Sequence, residues 1–144
     1  MAPNVKPGAT GLAVTASKTS LDYPVPDSRR ILIVDDEPLM RLALTQALAD
    51  SGCVVEEATD GSSATRSVTT ALAPFDVVLL DYQMPDSDDL RLLARIRALS
   101  PRTRVMLMTA HPTPEIVAGA EALGAVRVFD KPIDINELCR LVTS

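Results

Sequence analysis

Tryptophan is missing from this sequence, and two phenylalanines and two tyrosines are its whole aromatic content. With 47% hydrophobic residues over 144 positions, the core must be built from Val, Leu, Ile, Ala and Met, as in parallel sheets covered on both faces. Basic runs are also lacking: nothing exceeds the doublet Arg29-Arg30, and acidic residues outnumber basic ones 19 to 14. Direct nucleic-acid binding therefore has no electrostatic footprint. No stretch approaches the ~20 apolar residues of a membrane span, and the N-terminus has no charged start followed by an apolar segment. Neither membrane insertion nor export is expected. Only two cysteines occur, Cys53 and Cys139, in apolar surroundings and without metal-ligand spacing. They read as reduced thiols of a cytoplasmic protein.

The length suits one domain. Residues 1–28 carry Pro3, Pro7, Pro24 and Pro26 among small polar residues and read as a flexible tail. Lys6 and Lys18 balance Asp22 and Asp27, so the formal charge of −5 falls wholly on residues 29–144. That stretch alternates short apolar runs with helical periodicities, the mark of repeated βα units.

Strands are expected over 31–34, from Val54-Val55, and over 75–80, 105–108 and 126–129, each apolar on both faces. Pro38 suits a first helical position, and Met40, Ala43, Leu44, Ala47 and Leu48 stripe one face before Gly52 closes the helix. Asp60-Gly61 opens a second helix with Ala64, Val68, Ala71 and Leu72 on one side. Leu92, Leu93, Ile96 and Leu99 stripe a third, capped by Asp89. Thr113-Pro114 starts a fourth, which ends near Leu123. Its mid-helix Gly119 and the small Ala118, Ala120 and Ala122 make it the least stable and a movable element. The last helix has Asp134 at its N-cap, Glu137 three residues on, and Ile133 and Leu138 placed as a hydrophobic staple. Five such units predict an α/β, doubly wound, five-stranded parallel sheet of order 2-1-3-4-5, with ligands bound beyond the carboxyl ends of the strands.

Those ends carry Asp35, Asp36 and Glu37 after the first strand, Asp81 after the third, Thr109 after the fourth and Lys131-Pro132 after the fifth. Singly, each is an ordinary cap, turn or solvated lysine. Converging, three carboxylates repel one another and invite an oxygen-loving divalent cation such as Mg2+. A hydroxyl and an ammonium complete a phosphate site, and Asp81 is the natural nucleophile for phosphoryl transfer.

The strings ILIVDDEP at 31–38, VVLLDYQMP at 77–85, MTA at 108–110, GA at 124–125 and KP at 131–132 occur in that order. The chain thereby resembles the response-regulator receiver family over residues 31–142, as a stand-alone type or as a fragment of a longer DNA-binding regulator. The resemblance implies that Asp81 is the phosphoacceptor and that Asp35 and Asp36 organise Mg2+, with Asp36 favoured as direct ligand. The backbone carbonyl of Gln83 would join the metal, Thr109 and Lys131 would contact the phosphoryl group, and the bond before Pro132 would be cis.

It further implies a sensor histidine kinase or histidine-phosphotransfer protein as donor, a separate output protein, and a monomer or phosphorylation-dependent dimer that is no enzyme beyond its own phosphorylation. Gln83 and His111 hold positions that modulate acyl-phosphate hydrolysis in that family. Val128 stands where many members carry a switching aromatic, so an aromatic swing is not expected, and a phosphate carrier or sink without output surface is the competing reading. Flavodoxin-type chemistry needs a small-residue phosphate loop where Asp35-Asp-Glu37 stands, and an aspartyl-phosphate phosphatase usually has a second Asp where Gln83 stands.

Overall fold

The computed structural model describes residues 28–144, so the tail expected over 1–28 lies, but for Ser28, outside the described residues. Five strands, β1 (Arg30–Val34), β2 (Val54–Ala58), β3 (Val77–Asp81), β4 (Arg104–Thr109) and β5 (Ala125–Asp130), form one parallel sheet of order β2-β1-β3-β4-β5. Between them run α1 (Pro38–Asp50), α2 (Gly61–Thr70), α3 (Arg91–Leu99), α4 (Pro114–Ala122) and, last, α5 (Ile135–Thr143). The expected architecture is borne out.

Side chains alternate across a strand, so each central strand serves two cores. Ile31 and Ile33, Val77 and Leu79, and Met106 and Met108 face Leu44 and Leu48 of α1 and Leu138 and Val142 of α5. Leu32 and Val34, Val78 and Leu80, and Val105 and Leu107 face Ala64 of α2, Leu92, Leu93 and Ile96 of α3, and Ala120 of α4. The largest fully buried side chains are all Ile, Leu or Met, the interior that a chain so poor in aromatics must build.

Two-sided burial fails at the sheet edges. Glu56 and Glu57 of β2 are exposed, and so are Val126 and Asp130 of β5. The register between β4 and β5 shifts so that Val105 pairs with Ala125 and Met106 with Arg127, leaving Val126 as an outward bulge. The bulge lets Ala125 and Val128 share one face while Phe129 turns to the core with α1 and α5.

Helix ends account for the other corrections. α2 stops at Thr70 because Ala71 leaves the helix with extended backbone (φ −61°, ψ 134°), which puts Leu72 in solvent instead of on the helical stripe. Ala43 of α1 and Leu99 of α3 also face outward. The N-cap of α3 is Leu90; Asp89 acts one residue earlier, accepting from the Arg91 N–H at 2.9 Å. Thr113 and Asp134 cap α4 and α5 as expected, through the N–H groups of Ile116 and Glu137. Cys53 is buried and Cys139 half-buried, both unpaired among the described residues. Burial, then the neighbouring Cys139 sulfur, pushes the Cys53 thiol up despite Arg29, which keeps it a neutral packing group.

Among the described residues two glycines adopt left-handed backbone, Gly52 after α1 (φ +91°) and Gly124 after α4 (φ +99°). A Cβ at Gly52 would meet nothing, whereas one at Gly124 would sit 2.7 Å from Nε of Arg97, whose guanidinium is tied to the carbonyls of Pro101 and Thr103. Gly52→Ala is expected to lower unfolding free energy by about 1 kcal/mol, the backbone cost alone. Gly124→Ala should lower it further, because Arg97 must also move; urea denaturation of the two variants measures the difference.

Candidate functional site

Strand order places the site. β1 has β2 on one side and β3 on the other, and the connections leaving β1 and β3 diverge to opposite faces, opening a crevice at their carboxyl ends. Asp35 extends β1 by one residue, its N–H donating to the Ala58 carbonyl at 3.1 Å. Asp81 ends β3 and Thr109 ends β4. The Lys131 N–H donates to the Thr109 carbonyl at 2.9 Å, and the Lys131-Pro132 bond is cis as expected.

These residues line a pocket of about 220 Å³ together with Asp36, Glu37, Gln83 and Ala110. Asp35 is wholly buried and Asp81 only 6% exposed, whereas Asp36 is open to solvent. Lys131 Nζ lies 3.3 Å from Asp35 Oδ2 and 3.3 Å from Asp81 Oδ1. Asp35 Oδ1 accepts from the Glu37 N–H at 2.9 Å, and Asp81 Oδ1 accepts a long bond from the Gln83 N–H at 3.4 Å. The Thr109 hydroxyl oxygen accepts from the His111 N–H at 3.2 Å, which leaves its O–H to donate. His111 and Gln83 are exposed at the rim, and Val128 packs half-buried against the core with α2, α3 and α4.

One ammonium faces three carboxylates. A carboxylate oxygen from each of Asp35, Asp36 and Asp81 lies within 4.8 Å of the others. Two like charges at that distance repel by roughly 3.5 kcal/mol at an effective dielectric near 20. Burial, and then the Asp35 charge, raise the Asp81 carboxyl to about 6 against the opposing pull of Lys131. Burial disfavours the Lys131 charge, but Asp81 and Asp35 together outweigh it and hold the ammonium above its ordinary value. The donor set is all oxygen, anionic and open on the Asp36 side, which fits a hard divalent cation.

Arg41 is a contributor that sequence reasoning missed. Its guanidinium donates to the Asp35 carbonyl at 2.7 Å and to Glu57 at 3.1 Å, and Thr45 also donates to Glu57. The start of α1 is thereby tied to β2 beneath the carboxylates. Nothing in the local pattern marks Arg41, because its side-chain partner Glu57 comes from β2 and its other partner is a backbone carbonyl.

The family model described as the response regulator receiver domain matches residues 31–143. The chain belongs to the response regulator receiver domain family. It is 38% identical over 124 residues to a Mycobacterium tuberculosis protein described as "Probable transcriptional regulatory protein NarL", covering 85% of this chain and 56% of that one. It is 33% identical to sporulation initiation phosphotransferase F of Bacillus subtilis, covering 77% of this chain and 88% of that protein. The structure of the CheX-CheY-BeF3-Mg+2 complex from Borrelia burgdorferi superposes with a TM-score of 0.73 at 27% identity, over 78% of this receiver and 84% of that chain.

The raised Asp81 carboxyl has a consequence for the metal-free receiver. A folded-state value near 6 against an unfolded value near 3.8 means that folding favours protonated Asp81; that contribution is whole below pH 4 and is lost as pH rises through 6. Asp81→Asn, neutral throughout, is expected to exceed wild type in stability by about 1–2 kcal/mol at pH 7.5, after solvent screening, and to match it below pH 4. Denaturation curves across pH 3.5–8 in chelator provide the check.

Proposed function

We propose that this receiver is a phosphoacceptor switch in which Asp81 takes a phosphoryl group from a phosphohistidine donor. The observation that carries the reading is a buried carboxylate at a strand end, 3.3 Å from a half-buried lysine and beside a hydroxyl free to donate. An Asp81 oxygen attacks phosphorus, the P–N bond to the donor imidazole breaks, and its electron pair stays with that ring, which takes up a proton to leave neutral histidine. Asp35, Asp36, Asp81 and the Gln83 carbonyl would hold Mg2+, which when bound neutralises the phosphoryl oxygens. Lys131 exchanges its contact with Asp81 for one with the phosphoryl group, and Thr109 donates to it. His111 and Gln83 stand at the rim, where they tune access of water to the acyl phosphate.

The output is a change in protein contacts. α4 follows directly on the Thr109 loop and buries only Ala120 fully, so a phosphoryl contact has a lightly held element to shift. The donor is a sensor histidine kinase or histidine-phosphotransfer protein, and the two free thiols suit a reducing cytoplasm. A carrier role, passing phosphoryl between histidine proteins, is favoured by Val128 in place of a switching aromatic and by similarity to a phosphotransferase. Service as the receiver of a longer transcriptional regulator is favoured by the 56% span of NarL.

With a small-molecule phosphodonor and Mg2+, wild type is expected to acquire one acid-stable, base-labile phosphoryl group and folded Asp81→Asn none. Asp36→Ala should bind Mg2+ more weakly, whereas Lys131→Ala should still label but lose the conformational response. Full labelling of folded Asp81→Asn would exclude Asp81 as acceptor.

A further inference from the structure

A hollow of about 460 Å³ lies between the starts of α2 and α3 and is walled in part by Asp86. Two of its acidic groups are engaged: Asp89 pairs with Arg91 at 3.2 Å, and Asp86 turns toward α2. Asp86 Oδ1 accepts from the Gly61 N–H at 2.8 Å and Oδ2 from the Ser62 N–H at 3.1 Å. Asp60 takes the third free N–H, that of Ser63, at 2.7 Å. Three donors that a helix start leaves unsatisfied thus have carboxylate acceptors, two of them supplied by the β3–α3 loop. Gly61 is where the two elements touch, since a Cβ there would lie 3.3 Å from Asp86 Oδ1 and 3.3 Å from Leu92 Cδ2.

Asp86 sits in a tight turn. The Met84 N–H donates to the Ser87 carbonyl at 2.8 Å and the Ser87 N–H to the Met84 carbonyl at 3.1 Å. Met84 is buried in the core with α2, α3 and α4. Gln83 comes immediately before it and is tied by its N–H to Asp81 at 3.4 Å. The short path from Asp81 to Asp86 is therefore pinned at the phosphoacceptor, in the core and on α2.

We propose that Asp86 is a positioning residue: its grip on the N-terminus of α2 holds the 82–87 loop in the conformation from which the Gln83 carbonyl completes the cation site. This rests on the reading of that site given above. The clasp is specific to the carboxylate, because two parallel acceptors are needed for two successive N–H groups.

The test compares wild type, Asp86→Ala and Asp86→Asn by amide exchange in metal-free protein and by Mg2+ titration. In Asp86→Ala, Gly61 and Ser62 should lose protection together with Met84 and Ser87, and Mg2+ affinity should fall about tenfold, as when supporting partners of metal ligands are removed. Asp86→Asn, which keeps one acceptor oxygen, should recover part of both. Faster exchange at Gly61 and Ser62 alone, with Mg2+ affinity unchanged, would reduce Asp86 to a helix cap and overturn the proposal. Should Asp86→Ala fail to fold, Gly61→Ala crowds the same carboxylate from the other side and should weaken Mg2+ binding likewise; unchanged affinity there overturns it too. Absence of Mg2+ binding by wild type would instead remove the reading of the site itself.

Discussion

Two buried carboxylates, Asp35 and Asp81, share one lysine at the carboxyl end of the central strands, and the rest of the molecule holds that arrangement in place. Such a cluster opposes folding when nothing binds there, since each carboxylate loses hydration and repels the others. Rigid surroundings keep it from relaxing. β1 and β3 are fixed by aliphatic packing on both faces, Arg41 ties the Asp35 backbone to the edge strand, and Lys131 continues the hydrogen bonding of β4. The outcome is a pocket whose carboxylate repulsion is unrelieved, the energy that the proposed function assigns to a cation and a phosphoryl group.

Stability and responsiveness are distributed unevenly over the fold. The α1 and α5 side packs Leu44, Leu48, Leu138 and Val142 on the sheet, with Phe129 filling one end. On the other side, α4 offers one fully buried alanine, and its Gly119 approaches Leu90 so closely that a Cβ would lie 2.8 Å from that side chain. Small residues here permit close approach while contributing little buried area. Under the proposed function, α4 is the element that a phosphoryl contact of a few kcal/mol would move.

Much of this was legible in the sequence, because strand and helix periods, Pro38, Thr113-Pro114 and Asp134 are local signals written in neighbouring residues. The site was legible for a related reason: in a doubly wound sheet every strand end points to the same rim, so Asp35, Asp36, Asp81, Thr109 and Lys131 were brought together by topology alone. What escaped depends on partners distant in the chain. Leu72 and Leu99 continue helical stripes in sequence, yet α2 has ended before Leu72 and Leu99 is the last residue of α3, and both stand in solvent. The bulge at Val126 arises from pairing with β4, and the roles of Arg41 and Asp86 exist only once β2 and α2 lie beside them.

The central claim is that carboxylate repulsion at the β1–β3 crevice is relieved by a divalent cation. Thermal unfolding of the metal-free receiver tests it directly, with Mg2+ compared against NaCl at matched ionic strength in wild type and Asp36→Ala. Specific binding to the folded state should raise the wild-type midpoint progressively with Mg2+ concentration, beyond anything sodium does, and should do so far less in the variant. Equal midpoints in Mg2+ and NaCl for wild type would contradict the account.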